Sequence, residues 1–202
     1  MSGRPQILVV SCHPLKDSLN RHLVETVLAE LTKSGANVTH RDLYDAGFDP
    51  RLQSHERESY YQGPFDGQAL EDEITELTKA DHLILIFPTW WFNLPAILKG
   101  WFDRVWAPGI AFDHASDLGP IKPRLTGLKS ALIITTLGSP AWIDWFWMGR
   151  PVKRILQRSL FKVCAPQAKF SYLCLYKAED ASSARLDNFK RKISNTLGTL
   201  AP

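Results

Sequence analysis

An uninterrupted apolar run, Leu83 to Phe87, leads directly into an aromatic turn and then into a helical pattern. Such a run is typical of a strand covered on both faces, as in a parallel sheet between two layers of helices. Pro88 ends the strand, and Pro95 suits the first turn of the helix that follows. Apolar residues then recur at helical spacing, at Ile97, Leu98, Trp101, Phe102 and Val105. The chain is therefore expected to contain a central parallel strand joined to a helix by a short, rigid turn.

This turn contains Trp90, Trp91 and Phe92, which are large side chains for a solvated loop. In an open parallel sheet, a loop at the carboxyl end of a central strand borders the ligand crevice. A flat ligand would explain the three rings. Packing between helix and sheet would explain any one of them equally well.

The first strand, predicted over 7–12, is followed by the loop His13–Asn20 and by a helical pattern that Gly35 ends. Ser18 or Asp17 stands at the N-cap position, so the loop brings polar groups to the positive end of a helix. Neither the dinucleotide-binding glycine pattern nor the nucleotide P-loop is present. Ordinary capping and the binding of a phosphate both remain open here.

Strands and helices alternate along the whole chain, which predicts one domain over 1–202 with an α/β fold. Helices are expected around 23–31, 70–77, 95–105, 153–158 and 181–197, and strands at 7–12, 37–41, 83–87, 129–136 and 170–176. The simplest arrangement is a doubly wound five-stranded parallel sheet in the flavodoxin-like order 2-1-3-4-5, with helices on both faces. The segment 45–67 is polar and rich in turn residues, and no element is predicted within it.

In this strand order the loop after the first strand meets the loop after the third, with Thr135–Ser139 alongside. Hydroxyl groups and close main chain at Thr135, Thr136 and Gly138 suit a ligand with carbonyl or ring-nitrogen acceptors, although ordinary turn chemistry also explains Gly138 and Pro140. A phosphate seat and an aromatic wall that face one pocket suit a flavin nucleotide.

A second aromatic cluster, Trp142, Trp145, Phe146 and Trp147, precedes a basic helical pattern. A pocket lid, a subunit interface and a peripheral membrane contact are all possible roles. The basic stretch is short, which favours a lid or an interface.

Composition excludes several classes of protein. The 202 residues carry a net charge of +3, spread without a long basic run, so binding to nucleic acid has little support. Cys12, Cys164 and Cys174 are an odd number without paired spacing, which indicates reduced thiols and argues against disulfides and a metal site. No apolar run approaches the roughly 18 residues of a membrane span, so a cytoplasmic protein without stable membrane insertion is expected.

Several motifs together resemble the NAD(P)H:quinone reductase family, flavoproteins of flavodoxin-like fold. They are Phe87–Phe92 with Pro95–Val105, His13 followed by Ser18 and Asn20, Asp42-Leu43-Tyr44, and Thr135-Thr136. The resemblance implies a homodimer that carries FAD, with FMN as the alternative. It also implies hydride transfer from NADH or NADPH to the flavin and then to a quinone or a similar flat acceptor, through one shared pocket.

The same resemblance assigns site residues. His13, Ser18, Leu19 and Asn20 would hold the flavin phosphates, and Thr135, Thr136 and Gly138 would contact the polar edge of the ring. Pro88, Thr89, Trp90, Trp91 and Phe92 would surround the ring, and Arg185 would reach the far end of FAD. Phe112, His114 and Trp142 would contact the substrate. His114 is expected to reach the pocket of the other subunit, with a surface histidine in a turn as the alternative.

Two departures from the family pattern limit the assignment. Leu137-Gly138 stands where the family has Gly-Gly, and the tyrosine and histidine that some members place beyond it have no clear counterpart in 142–147. No catalytic residue is therefore assigned. The alternative functions are a one-electron carrier of the flavodoxin type, which the positive net charge disfavours, and a regulatory subunit of a potassium efflux system.

Overall fold

The computed structural model describes residues 4–115 and 119–199. Five strands form a parallel sheet in the order β2-β1-β3-β6-β7. They are β1 (Gln6–Ser11), β2 (Asn37–Asp42), β3 (His82–Pro88), β6 (Ser130–Leu137) and β7 (Lys169–Tyr176). Two short strands, β4 (Phe112–Asp113) and β5 (Lys122–Pro123), pair antiparallel outside the sheet. The predicted flavodoxin-like fold and strand order are confirmed.

Helices cover both faces of the sheet. They are α1 (Leu19–Ser34), α2 (Ser54–Gln62), α3 (Glu71–Lys79), α4 (Ala96–Val105), α5 (Pro151–Arg154), α6 (Lys162–Cys164) and α7 (Ser183–Leu197). A π-helical segment, Ile155–Phe161, joins α5 to α6, so this helical stretch is longer than the basic pattern predicted. None of the helices in the described part of the chain is long and apolar enough to cross a membrane.

The central strand β3 is buried along its whole length, as its sequence predicts. Its alternate residues enter two separate cores because successive side chains of a strand point to opposite faces. Leu85 and Phe87 lie in the core that contains α4, whereas Ile84 and Ile86 lie in the core that contains α1 and α7. Burial on both faces thus explains why the run has no polar residue.

The helix after the aromatic turn begins one residue later than predicted. Pro95 is the N-cap residue of α4 rather than part of its first turn. Position 100 in α4 must be glycine, because a Cβ at this position would lie 2.5 Å from the Cα of Pro50. The main chain around Pro50 is therefore packed directly against α4.

The segment 45–67, where no element was predicted, contains helix α2. Its sequence has no apolar stripe, and its buried residue is Glu56. Arg104 of α4 donates from Nε to Glu56 Oε2 at 2.9 Å, and its Nη1 donates to the main-chain oxygen of Asp49 at 2.6 Å. Burial alone would raise the pKa of Glu56, but hydrogen bonds from Arg104 and the main-chain N–H of Gln53 outweigh it and hold the pKa below its ordinary value. The helix is thus held by a buried ion pair, which hydrophobic periodicity cannot indicate.

Candidate active site

The loops that follow β1, β3 and β6 lie together at the carboxyl edge of the sheet. The N–H of Cys12 donates to the oxygen of Ile86 at 3.3 Å, and the N–H of Thr89 donates to the oxygen of Thr136 at 2.7 Å. The hydroxyls of Thr89 and Thr135 are 2.8 Å apart and buried. These contacts bring the three loops to one place, the crevice expected of a doubly wound sheet.

The first loop leads into the N-terminus of α1. Ser18 is the N-cap residue and accepts from the N–H of Arg21 at 3.2 Å, while His13 Nδ1 accepts from the N–H of Leu15 at 3.1 Å. Leu19 and Asn20 form the start of the helix, whose amino end carries positive potential.

Asn20 supplies the clearest sign of a ligand at this position. The residue is 4% exposed, and its Nδ2 has no hydrogen-bond partner among the described residues. Buried amide donors are almost always hydrogen-bonded, so this donor indicates a ligand with an acceptor atom beside Asn20. A phosphate oxygen beside the N-terminus of α1 fits this donor.

The aromatic turn after β3 is tight and strained. The main chains of Trp90 and Asn93 exchange hydrogen bonds of 3.2 and 2.9 Å. Between them Trp91 and Phe92 have φ values of 51° and 54°, in the left-handed region that bulky residues rarely adopt. Trp91 is 98% exposed, so packing of its ring does not explain the strain. Strain of this kind is concentrated at functional sites.

The ring of Trp90 connects this turn to the first loop. Its centroid is 6.2 Å from that of His13, with the ring planes tilted by 56°. Pro88 and Thr89 are buried beneath the turn and fix its position on the sheet. The loop before α1 and the aromatic turn therefore lie next to each other at this edge of the sheet.

The turn after β6 completes this side of the site. Thr135 and Thr136 are buried, and the Thr135 hydroxyl is hydrogen-bonded to that of Thr89. Gly138 lies at the end of the strand, where an added Cβ would be 3.3 Å from Glu179 Oε1.

The remaining predicted residues lie farther from the loops after β1 and β3. Arg185 is in the first turn of α7, and its Nη2 donates to the oxygen of Tyr176 at 2.6 Å. Because β7 is the edge strand, the ends of β3 and β6 lie between Arg185 and the loop after β1. A cavity of about 380 Å³ adjoins Arg185, Lys177 and Lys192.

Phe112 is the first residue of β4, and His114 directly follows this strand. His114 is exposed and stacks on Tyr61 of α2, with ring centroids 4.8 Å apart, and it meets Phe112 edge to face at 5.3 Å. The reach of His114 into a second subunit stays a prediction. In the residues that the structure describes, no group of three or more His, Cys, Asp or Glu side chains could hold a metal ion.

A model of the flavodoxin-like fold matches residues 5–197. Ribosyldihydronicotinamide dehydrogenase (quinone) from Rattus norvegicus is 32% identical over 197 residues, which cover 84% of this chain and 83% of the relative. The chain belongs to the NAD(P)H:quinone reductase family. NAD(P)H dehydrogenase (quinone) 1 from the same organism is 34% identical over 92% of this chain and 75% of its own. The resemblance drawn from the sequence is confirmed, and the protein is an oxidoreductase.

A solved structure agrees on the fold of this quinone reductase family member. The NAD(P)H:quinone oxidoreductase from Methanothermobacter marburgensis superposes with a TM-score of 0.80 at 20% identity, over 96% of this chain and 94% of that one. At this level of identity the likeness bears on the fold alone.

The family's Gly-Gly position is occupied here by Leu137-Gly138 without disturbing the sheet. Strand β6 continues through Leu137, which is 6% exposed and pairs in register with Tyr176 of β7. The leucine side chain therefore packs at the end of the strand instead of facing solvent.

The tyrosine and histidine that some quinone reductases place after this turn have no clear counterpart in 142–147. Near this segment, Tyr176 of β7 donates to Asp144 Oδ2 at 2.8 Å, and Trp145 Nε1 donates to the Tyr176 hydroxyl at 2.8 Å. Burial, followed by the proximity of Cys174 and the hydrogen bond to Asp144, raises the pKa of Tyr176, so the phenol stays protonated. Sequence reasoning missed both Asp144 and Tyr176, because residues 32 positions apart in the chain give no local signal.

Trp142 and the rest of the second aromatic cluster project from this point. The segment Ile143–Trp147 is π-helical. Trp142 is 59% exposed, and Phe146 and Trp147 are more than four-fifths exposed. A concentration of exposed rings next to the end of β6 is a surface suited to a ligand or a partner.

Proposed function

We propose that this oxidoreductase is a flavin-dependent NAD(P)H dehydrogenase that passes two electrons to quinones or similar flat acceptors. The observation that carries the proposal is the buried Asn20 Nδ2 at the N-terminus of α1, which has no hydrogen-bond partner among the described residues and lies at the same sheet edge as the strained aromatic turn. The first suits a phosphate and the second suits a flat ring, and a flavin nucleotide contains both. The names of the rat relatives supply the donor and acceptor classes.

FAD is the proposed cofactor, with FMN as the alternative. His13, Ser18, Leu19 and Asn20 would hold the phosphates, and Arg185 at the end of β7 favours the longer nucleotide. Arg185 donates from Nη2 to the oxygen of Tyr176, and its guanidinium has further N–H groups that can donate to a ligand. When bound, the flavin supplies the hydride chemistry, and the protein supplies binding, orientation and exclusion of water.

The chain's own residues have distinct tasks around the ring. Thr89 and Thr135 lock the aromatic turn to the end of β6 through their hydroxyls. Trp90, Trp91 and Phe92 form the apolar wall, while Thr136 and Gly138 present main-chain groups to the polar edge. One pocket then serves nicotinamide and acceptor in turn, with Phe112, His114 and Trp142 on the acceptor side.

We propose that the active form is a cytoplasmic homodimer with its pockets at the interface. The second subunit would bring Phe112 and His114 to the ring. The strongly exposed Phe146 and Trp147 support a covered surface, because large exposed apolar patches are uncommon on monomers. The free cysteines Cys12, Cys164 and Cys174 agree with a reducing compartment.

Release of the bound flavin from the purified protein, and its identification against FAD and FMN standards, tests the cofactor. Steady-state rates at several quinone concentrations should then give parallel double-reciprocal lines for NAD(P)H, as one site used in turn requires. Intersecting lines would contradict the shared pocket. A protein that neither contains nor takes up flavin would overturn the proposed function.

Asn20→Ala tests the phosphate seat. Loss of a hydrogen bond to a charged group should weaken flavin binding by about tenfold or more, as measured by titration of the apoprotein. The matched control is Asn37→Ala, which removes an exposed amide at the start of β2, at the opposite edge of the sheet. Equal affinities for the two variants would remove Asn20 from the site.

Two other functions give different results in the same preparations. A one-electron carrier would keep its flavin oxidised for minutes in the presence of NAD(P)H, whereas an enzyme bleaches within seconds. A regulatory subunit, which the exposed Phe146 and Trp147 also suit, would co-purify with a membrane transporter.

A further inference from the structure

The second aromatic cluster is attached to the sheet by two consecutive hydrogen bonds between side chains. Asp144, only 5% exposed, accepts from the hydroxyl of Tyr176, which in turn accepts from the indole N–H of Trp145. The hydroxyl therefore uses its donor on one residue and an acceptor lone pair on the other. The chain joins the edge strand β7 to the middle of the π-helical segment.

Arg150 holds the same indole from its face. Its guanidinium lies 5.0 Å from the ring centroid of Trp145 and 5.6 Å from that of Tyr172. The N–H of Arg150 also donates to the main-chain oxygen of Asp144 at 2.7 Å. Trp145 is thus fixed at its edge by Tyr176 and on its face by Arg150, yet 49% of its surface remains exposed.

The anchor point lies beside the turn that we propose for the polar edge of the flavin ring. Tyr176, the last residue of β7, pairs in register with Leu137, and the two residues that follow β7 bind the same turn. The N–H of Lys177 donates to the oxygen of Ser139, and that of Ala178 to the oxygen of Leu137, both at 3.2 Å. One strand end therefore fixes both Gly138 and the segment that follows it.

We propose that Asp144 and Tyr176 are positioning residues that hold Trp145, and with it Trp142, as a fixed wall on the acceptor side of the site. The inference rests on the proposed function and deepens it. A segment that swung away as a lid would break both hydrogen bonds of the Tyr176 hydroxyl, including the one to the Asp144 carboxylate, and these bonds therefore stabilise the observed position. A wall that stays in place favours flat, rigid acceptors that fit between it and the ring.

Tyr176→Phe tests the proposal, because it removes the hydroxyl and keeps the ring. The KM for a flat quinone should rise about fivefold, the change that one hydrogen bond commonly accounts for. Flavin content should stay unchanged, because the residues proposed to bind the flavin do not include Tyr176. Asp144→Asn keeps an acceptor oxygen for the Tyr176 hydroxyl and should give a smaller increase. Acrylamide should quench tryptophan fluorescence more strongly in Tyr176→Phe than in the parent protein.

The matched control is Tyr172→Phe, on the same strand and the same face of the sheet, where the ring alone meets Arg150. This variant should behave like the parent protein in KM, flavin content and acrylamide quenching. Trp145→Phe removes the donor at the other end of the chain and should raise the same KM, which keeps the proposal testable if Tyr176→Phe does not fold.

The outcomes separate the two proposals. If flavin and activity are present but Tyr176→Phe and Trp145→Phe match Tyr172→Phe in KM and quenching, the wall is wrong and the proposed function stands. Loss of flavin from Tyr176→Phe with normal KM would also overturn the inference, since the residue would then serve cofactor retention. A parent protein without flavin would end both proposals.

Discussion

The two aromatic segments at the carboxyl edge, Trp90–Asn93 after β3 and Trp142–Trp147 after β6, are held by different means. In the first, the main chain itself fixes the shape, through a four-residue turn with Trp91 and Phe92 in the left-handed region. In the second, the main chain is helical, and side chains from another strand fix its place. The first arrangement stores strain, whereas the second depends on hydrogen bonds between side chains.

This difference predicts how each segment responds to amino-acid substitution. A strained turn persists only when its surroundings over-determine it, and here these are the buried Thr89 on one side and α4 on the other. A segment held by hydrogen bonds between side chains instead loses its fixed position when a single polar atom is removed. Substitutions in and around the two segments test this contrast.

The largest effect is expected in α4, the helix that follows the strained turn. Glu56→Ala leaves Arg104 buried without its partner, and removal of one member of a buried pair costs about 3–5 kcal/mol. Urea unfolding measures the loss. The control is Lys33→Ala, which breaks an exposed pair with Glu30 and should cost less than about 1 kcal/mol.

The same pair predicts a pH dependence. The pKa of folded Glu56 lies below its ordinary value, so its contribution is present above roughly pH 4.3 and is lost as the pH falls through the folded value. The parent protein should therefore lose stability on acidification more steeply than Glu56→Ala. Identical slopes for the two proteins would show that Glu56 is not stabilised as a carboxylate.

A smaller effect is expected at the hydrogen bond between Thr89 and Thr135, which joins the ends of β3 and β6 that precede the two segments. Thr89→Val removes the hydroxyl that pairs with Thr135 in a buried setting, and a stranded partner of this kind costs about 1–3 kcal/mol. The double variant Thr89→Val/Thr135→Val replaces both partners with side chains of the same shape, so it should recover most of the loss. A double-mutant cycle by urea unfolding measures the coupling, and simple additivity would argue against a working hydrogen bond.

The smallest effects should have opposite signs in the two segments. Trp91→Gly relieves a left-handed conformation and should raise the stability of the apoprotein by about 0.5–1 kcal/mol, even after the entropy that glycine adds to the unfolded chain. Phe146→Gly, also at an exposed aromatic position, introduces glycine into a helical segment and should lower stability by about 0.5–1 kcal/mol. Thermal unfolding of the apoproteins measures both, and a shared sign would mean that Trp91 is not strained.

Much of this architecture could be predicted, because its causes are local. The apolar run of β3 and the Ser18 cap each identify their element from a few neighbouring residues. Once the strand order is given, the loops after β1, β3 and β6 must share one edge. Helix α2 could not be predicted, because its stability comes from Arg104, 48 positions away in the chain, and not from an apolar face.

The sequence by itself determined the main alternation of strands and helices, the family and the three loops that meet at the carboxyl edge, since periodicity, capping and motif spacing are properties of adjacent residues. Only the tertiary structure decided that Asn20 Nδ2 has no hydrogen-bond partner among the described residues and that Tyr176 reaches Asp144 and Trp145. Hydrogen bonds between distant side chains depend on strand register and helix docking. Those follow from how the whole core packs, and no short stretch of residues encodes them.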